Sequence, residues 1–295
     1  MYTTRSVTEI VPTHIVREGG GFKVRRPYRM GRVLSPFLLI DEMGPVDYGP
    51  GEALGAPWHP HRGFETVTYL LDGRMRHEDS AGNSGELNPG DVQWMTAGRG
   101  IIHCEEPHEE FLKTGGRTHG FQIWVNLPSS HKMMEPRYQE VPSTESPIVE
   151  QDGVWARVIA GECMGTTSSI DTKIPITLIH VKMKPESRLV QQLQTDLNGM
   201  IYVFGGGINL ENETRVKMSP IAFGIGAKQE IQDGELALLS EGEEIVIKSQ
   251  EGAEFLIFAG PELNEPIERY GPFVMNTKEE IRQAFLDYQN GTFVN

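Results

Sequence analysis

The feature that most constrains this chain is a pair of short histidine motifs that enclose strand-like sequence. His59 and His61 stand two residues apart, and His103 and Glu105 repeat that spacing further along the chain. Side chains at i and i+2 point to the same face of a β-strand. We therefore expect two facing strands to bring three imidazoles and one carboxylate together. Such a ligand set suits a divalent transition metal.

The sequence around these motifs reads as short strands separated by turns. Residues 64–71 are rich in aromatic and β-branched side chains, as strands usually are. The turns are marked by glycine, proline, asparagine and aspartate: Asp72-Gly73, Ala81-Gly82-Asn83, Asn88-Pro89-Gly90 and Gly98-Arg99-Gly100. Short strands at regular spacing predict an all-β barrel or sandwich.

Glycine, proline and polar residues divide the rest of the N-terminal half. Before residue 44 we expect edge strands that cover the barrel, and residues 44–57 form a loop that leads to His59 and walls the mouth of the site. Residues 129–150 are polar and contain prolines, which suits a linker. The predicted domains are residues 1–135, with the metal site, and residues 136–295.

Residues 153–260 look like a second copy of the first barrel. When the two copies are aligned through their turns, the four predicted ligands fall on side chains unsuited to this metal: Gln192, Gln194, Ile247 and Ser249. No histidine follows His180. We expect the second barrel to keep the scaffold without the metal.

A short helix is predicted at the C-terminus. Thr277 and Glu280 form a capping-box pattern, and Asn290-Gly291 supplies a stop. Apolar residues between them recur at helical spacing: Ile281, Ala284, Phe285 and Tyr288. The preceding residues 271–275 are expected to pack back on the N-terminal half.

The net charge and the cysteine content disfavour a nucleic-acid-binding protein and a disulfide-stabilised one. The formal net charge of −14 disfavours a surface that neutralises nucleic-acid phosphates. A small arginine cluster is better explained by a solvated strand edge or by inter-domain ion pairs: Arg25, Arg26, Arg29 and Arg32. Cys104 and Cys163 provide no disulfide framework, and no signal peptide or membrane span is expected. We expect an intracellular, cytoplasmic protein, or a nuclear one in a eukaryote.

Three long segments of the sequence resemble the pirin family of the cupin superfamily. They are His59-Pro60-His61-Arg62-Gly63-Phe64-Glu65-Thr66-Val67, residues 88–100 from Asn88-Pro89-Gly90-Asp91 to Gly98-Arg99-Gly100, and Gly271-Pro272-Phe273-Val274-Met275-Asn276-Thr277. The resemblance implies two cupin jelly-roll β-barrels in one chain, a bicupin, with a short C-terminal helix. It also implies one divalent transition metal, expected to be iron(II), held in the N-terminal domain by residues matching His59, His61, His103 and Glu105.

The resemblance further implies a quercetin 2,3-dioxygenase-like enzyme that opens flavonol-like substrates with O₂ and releases CO. Glu105 would then accept the substrate's proton, and Trp94 and Met95 are candidates to line an apolar pocket. Many cupins place their carboxylate near the position of Glu65, which leaves Glu65 as an alternative ligand or a neighbour of the metal. The other function implied is an iron-containing, redox-sensitive regulatory protein that binds a protein partner, as a transcription cofactor or a modulator of a metabolic enzyme.

Overall fold

The computed structural model describes residues 2–18, 20–28, 34–211 and 230–294. Antiparallel strands dominate, with two helices in the described ranges, which confirms the all-β prediction. The chain divides into two compact units, each discontinuous in sequence. We call one the histidine unit (His14–Arg26, Met30–Glu145 and Leu263–Asn295) and the other the second unit (Met1–Thr13, Pro27–Arg29 and Ser146–Glu262).

The elements follow one another in two runs along the chain. The first run is β1 (Val7–Arg17), β2 (Lys23–Pro27), β3 (Phe37–Tyr48), β4 (Ala56–His61), β5 (Phe64–Asp72), β6 (Met75–Asp79), β7 (Ser84–Leu87), β8 (Val92–Thr96), β9 (Ile101–Pro107), α1 (Glu109–Thr114), β10 (Gly116–Asn126) and β11 (Arg137–Val141). The second run is β12 (Ile148–Gln151), β13 (Val154–Ala160), β14 (Glu162–Cys163), β15 (Thr166–Thr167), β16 (Thr177–Met183), β17 (Ser187–Gln192), β18 (Leu197–Leu210), β19 (Glu230–Gln232), β20 (Glu235–Leu239), β21 (Glu244–Ser249), β22 (Ala253–Pro261), β23 (Glu268–Tyr270), β24 (Phe273–Met275) and α2 (Lys278–Asn290).

Two larger sheets and the two-stranded sheet β23–β24 lie in the histidine unit. One of the larger sheets has the strand order β11-β8-β5-β10-β3-β2, and the other has the order β4-β9-β6-β7. Alternation along β10 shows how the first sheet separates core from cavity. Phe121, Ile123 and Val125 are fully buried, whereas Gln122 and Trp124 line the cavity described below. The period of two in the sequence thus gives this strand one core face and one cavity face.

The compact units depart from the predicted division into residues 1–135 and 136–295 at both chain ends. Residues up to Thr13 pack with the second unit, where β1 pairs with β20, so they do not cover the first barrel. Residues from Leu263 onward pack with the histidine unit. The predicted linker, residues 129–150, also contains β11, which pairs with β8. Strand pairing therefore overrides the polar composition there.

The second unit has a buried aliphatic core, and β17 and β21 form an antiparallel pair in it, as β4 and β9 do in the histidine unit. Leu189 and Gln191 are buried, and Ile247 lies opposite Leu189. Gln192 is exposed. If Ile247 matches His103, the register matches the two histidines of β4 to Leu189 and Gln191. The predicted equivalence with Gln192 and Gln194 is therefore out of register, although the replacement side chains still form no imidazole pair.

The C-terminal helix is confirmed with its predicted ends. The Thr277 side chain accepts from the Glu280 amide, the Glu280 side chain accepts from the Thr277 amide, and Gly291 ends α2 in the left-handed conformation. Ala284 is fully buried, against Phe273 and Phe293. Since these residues belong to the histidine unit, the C-terminal segment does pack back on the N-terminal half.

Other expectations were tested in the described residues. Cys104 and Cys163 are buried and free. Arg25 pairs with Glu42 and Arg26 pairs with Asp41, so these arginines do form ion pairs, but within the histidine unit and not between domains. The other two arginines of that cluster, Arg29 and Arg32, lie outside the described residues. Within the described ranges, no helix is both long and apolar enough to cross a membrane.

Candidate metal centre

The pairing of β4 with β9 places the histidine motifs side by side. His59 lies directly opposite His103, and His61 lies opposite Ile101. Because i and i+2 share a face, His59, His61 and His103 all point the same way. Their ring centroids are 4.5–5.1 Å apart. Within the described ranges this is the one group of at least three metal-binding side chains whose donor atoms all lie within 4.8 Å of one another.

Backbone carbonyls fix two of the imidazoles. His59 Nδ1 lies 2.7 Å from the Pro57 oxygen, and His61 Nδ1 lies 3.4 Å from the Pro272 oxygen. A carbonyl oxygen only accepts, so each Nδ1 must carry the proton and each Nε2 must present a lone pair. This tautomer is the one that metal-binding histidines adopt when a partner orients the ring.

Burial keeps two of these rings neutral. Desolvation lowers the pKa of His61 well below its usual 6.5, and the neighbouring His103 and His59 lower it further. Desolvation likewise lowers the pKa of His103 to about 4, although Glu105 opposes the shift. Neutral imidazole is the form that binds a metal, so neither His61 nor His103 has to release a proton at pH 7.

The cluster fits a divalent transition metal on two observations. Nε2 of His59 and Nε2 of His103 are 3.0 Å apart, and two nitrogen ligands about 2.1 Å from one metal at right angles are separated by about 3.0 Å. The buried Nδ1 of His103 has no hydrogen-bond partner in the described part of the chain. When Nδ1 of His103 carries the proton, a bound cation would accept the lone pairs of both Nε2 atoms.

Glu105 lies beside this cluster and is not among its members in the structure. Its Oε1 accepts a hydrogen bond of 3.0 Å from Thr68 Oγ1, and the residue lines the cavity above the imidazoles. Thr68 and Gln122 oppose each other on neighbouring strands, and their side chains are 3.1 Å apart. Glu105 therefore belongs to a polar wall next to the three histidines.

Glu65 lies elsewhere. Its Oε1 accepts a 2.6 Å hydrogen bond from Thr96, it is fully buried, and it does not line the cavity. The expectation that Glu65 shares a face with His61 assumed one unbroken strand. The strand breaks after His61 and resumes at Phe64, with Gly63 at φ +90° between them. Trp94 and Met95 could equally line the pocket or belong to the core on sequence grounds, and the structure places both in the core, fully buried and away from the cavity.

A cavity of about 580 Å³ opens over the imidazoles. Its size is within the usual range for small-molecule sites. Residues 53–57 form part of its wall, as predicted, but the predicted loop of residues 44–57 is shorter in the structure, because residues 44–48 belong to β3 and residues 56–57 to β4. Sequence reasoning missed several other lining residues: Arg26, Asp41, Trp124 and Arg269. The alternation of Gln122 and Trp124 could have pointed to one of them, whereas Arg269 reaches the cavity from the far end of the chain.

The remaining histidines of the histidine unit serve other purposes. His77 and His119 are buried, and their Nε2 atoms bond to Glu140 and Glu42. His108 caps α1 by accepting from the Glu110 amide. None of them joins the imidazole cluster.

Comparisons with known proteins place this site in a family context. The sequence profile described as Pirin matches residues 21–125, and the profile described as Pirin C-terminal cupin domain matches residues 178–294. Pirin from Homo sapiens is 41% identical over 295 residues, which covers 98% of this chain and 94% of the human protein. A pirin-like protein from Solanum lycopersicum is 40% identical over 291 residues, with 97% and 92% covered.

The solved structures agree with the sequence comparisons. The crystal structure of quercetin 2,3-dioxygenase from Acinetobacter baumannii matches with a TM-score of 0.89 and 35% identity, and 99% of each chain is covered. The two-cupin fold with a short C-terminal helix, which the sequence resemblance implied, is thereby confirmed.

Proposed function

The chain belongs to the pirin family, and from that premise we propose that it is a metal-dependent dioxygenase. Its substrates are flavonol-like compounds such as quercetin, which it opens with O₂ and release of CO. The observation that carries the proposal is the convergence of three imidazoles, two of which, His59 and His61, line a cavity of about 580 Å³. The similarity to a structure named quercetin 2,3-dioxygenase supports the substrate class.

The ligands we propose are the Nε2 atoms of His59, His61 and His103, completed by the carboxylate of Glu105. Iron(II) is the metal we propose. When bound, it supplies a Lewis acid that lowers the pKa of the flavonol 3-hydroxyl. Glu105 can turn from Thr68 toward the imidazoles because it shares their face of β9.

Glu105 also has the chemistry of a proton acceptor. A carboxylate beside the substrate's 3-hydroxyl takes the proton that the hydroxyl releases on binding. The hydrogen bond from Thr68 holds Glu105 at the wall of the cavity, so the carboxylate is positioned before the substrate arrives. Loss of this proton produces the electron-rich enolate that reacts with O₂.

Aromatic side chains supply the surface for a planar substrate. Trp124 packs its ring 5.3 Å from His61 and 4.4 Å from Phe64, measured between centroids. Trp58 lines the same cavity and is half exposed, where it can cover a bound ligand. Flat apolar walls orient a flavonol by stacking and exclude water from the reacting ring.

The test is an aerobic assay of the iron(II)-loaded protein with quercetin, in which loss of flavonol absorbance and release of CO are followed. His61→Ala should abolish metal binding and turnover together. His131→Ala, which removes a histidine on the loop after β10, is the matched control and should keep both. Turnover by His61→Ala without bound metal would refute the mechanism.

One observation favours a second function, a redox-sensitive binding protein. Pro272, whose oxygen meets His61, is two residues from Tyr270, which is 68% exposed. A change in the metal's charge could thus alter a surface that contacts a protein partner. Intact iron binding without flavonol turnover, together with partner binding that depends on the iron oxidation state, would favour this function.

A further inference from the structure

Arg269 lines the cavity and makes no direct ion pair in the described part of the chain, although Asp41 and Glu18 attract its charge from a longer distance. It lies on β23, and its guanidinium carbon is 4.5 Å from the centroid of the Trp124 ring. Its one hydrogen bond in the described structure is long, 3.4 Å from Nη1 to the Leu38 oxygen. No carboxylate in the described ranges lies within ion-pair distance of it. Since a guanidinium has five N–H donors, most of those of Arg269 remain available to a ligand.

The other arginines of the cavity are occupied. Arg26 donates through Nε and Nη2 to the two oxygens of Asp41, at 2.6 Å each, and also pairs with Glu18. Arg74 donates to Glu86 and Glu110 on the surface. Neither can offer a free edge to a ligand without breaking an ion pair. Arg269 therefore differs from Arg26 and Arg74 in having no ion pair in the described residues.

Lys23 also lines the cavity and is exposed. It has a flexible stem with no aromatic ring to hold it, so its ammonium has no fixed position. The indole of Trp124, by contrast, holds the face of the Arg269 guanidinium and leaves the donor edge open. A stacked arginine of this kind is pre-organised to accept an anion.

One ring connects Arg269 with the imidazole cluster. Trp124 contacts the guanidinium at 4.5 Å and the His61 ring at 5.3 Å. The turn after β23 also carries Pro272, whose oxygen meets His61 Nδ1. A planar ligand in this cavity can therefore reach the imidazole cluster at one end and Arg269 at the other.

We propose that Arg269 is a specificity-determining residue that binds a carboxylate on the ligand. The favoured ligand is then an aromatic hydroxy-ketone chelator, of the flavonol type, with a carboxylate on the ring remote from the chelating oxygens. Two parallel N–H donors of a guanidinium match the two oxygens of a carboxylate. This inference deepens the proposed function and rests on it for the chelating end of the ligand.

Binding to the zinc(II)-loaded protein tests the proposal without turnover. The probes are 3-hydroxyflavone-4′-carboxylate and its neutral 4′-carboxamide, titrated by flavonol fluorescence. Wild type should bind the carboxylate about tenfold more tightly, as expected for a charge-assisted contact. Arg269→Gln should remove that preference and leave carboxamide binding within about twofold, whereas Arg269→Lys should keep part of it.

Lys23→Gln is the matched control, because it removes a cation from the same cavity. It should keep the preference for the carboxylate. An undiminished preference in Arg269→Gln, or an equal loss in Lys23→Gln, would overturn the assignment to Arg269. Circular dichroism of each variant verifies the fold.

A third probe separates this proposal from the proposed function. Flavone-4′-carboxylate lacks the chelating hydroxyl, and its binding to metal-free protein should depend on Arg269 alone. Binding of this probe without metal-dependent binding of either flavonol would leave the carboxylate site standing and refute the flavonol function. If the neutral flavonol binds only with metal and the carboxylate binds no more tightly, the flavonol function stands and the carboxylate site at Arg269 is refuted. Absence of all binding would overturn both.

Discussion

The neutral state of His61 and His103 ties the stability of the metal-free protein to pH. Below pH 6.5 the unfolded chain binds protons at these histidines that the folded chain does not bind, because burial lowers both pKa values in the fold. This stability is fully present above pH 6.5 and is lost as the pH falls from 6.5 through 4. His103 alone, with its pKa lowered to about 4, accounts for a loss of about 3 kcal/mol.

Urea unfolding of the metal-free protein at pH 7 and pH 5 measures this effect. Between those pH values wild type should lose about 2 kcal/mol more than His103→Asn, which lacks the buried group. His131→Asn controls for the loss of a histidine as such and should behave like wild type. Equal losses in wild type and His103→Asn would contradict the neutral state of His103.

Glu105 and Glu106 form a natural pair for testing the proposed proton acceptor. Glu105→Gln keeps the shape of the side chain and removes its basicity, so flavonol turnover should fall about 100-fold. Glu106 points to the other face of β9 and pairs with Arg76, so Glu106→Gln should stay within about twofold of wild type. Metal content is measured alongside turnover for both variants. Equal turnover by the two variants would remove Glu105 from the mechanism.

Local alternation explains which site residues the sequence could predict. His59 and His61 share a strand, and so do His103 and Glu105, so the period of two sufficed for each pair. Arg269 could not be found in this way. Its contact with Trp124 joins residues that no local pattern connects, and only the folded chain brings them together.

At the scale of elements, α2 and the preceding strand β24 pack against Arg62, which follows β4; we call these contacts of Arg62 with Asp287, Phe293 and Val274 the clasp. Arg62 directly follows His61 and is buried. Its guanidinium donates to Asp287 of α2 at 2.6 Å and lies 4.3 Å from the Phe293 ring centroid. The amide of Val274 in β24 donates to the Arg62 oxygen. These contacts fix the backbone next to a proposed metal ligand.

Asp287→Asn should therefore weaken the histidine unit. The variant leaves a buried guanidinium without its counter-charge, which should cost about 2 kcal/mol because Asp287 itself is partly exposed. Glu279→Gln is the control, since in the described part of the chain Glu279 pairs with Arg282 alone, on the exposed side of the same helix, and it should leave the unfolding midpoint unchanged. Tryptophan fluorescence during urea unfolding reports both. Identical midpoints for the two variants would show that the clasp does not contribute.

Elements with strong end signals were predictable, and elements defined by distant pairing were not. The capping box at Thr277 and the glycine after Asn290 fixed α2 from sequence. Strand β11 lies in polar, proline-bearing sequence and exists because β8 offers it an edge. The face of Glu65 was misjudged because Gly63 interrupts the strand, and a single-residue break reverses every later side chain.

For the whole molecule, the loss of ligands in the second unit predicts a metal stoichiometry of one. Within the described ranges the one imidazole cluster lies in the histidine unit, and no histidine follows His180. His180 is itself buried and bonded to Glu254. Titration with a divalent metal should saturate at one equivalent per chain, and His61→Ala should remove that equivalent. A second equivalent of similar affinity that survives in His61→Ala would contradict this prediction.

The duplicated pattern in the sequence predicted two barrels, but not which residues complete each of them. The packing of residues up to Thr13 with the second unit and of residues after Leu263 with the histidine unit follows from strand pairing across long separations. No change in amino-acid composition marks the points at which the chain passes from one unit to the other. A boundary drawn at one point in the sequence could not describe them.

The hydrogen bond from His61 to Pro272 spans 211 residues, and this separation orders events during biosynthesis. A ribosome has made all four proposed ligands long before it reaches Pro272 and the Arg62 contact at Asp287. Until then the nascent histidine unit lacks the support behind β4, and an early-bound metal would meet a loosely oriented ring. Tight retention of a metal by the proposed ligands is thus expected only after residues 272–287 have been made and have packed against β4.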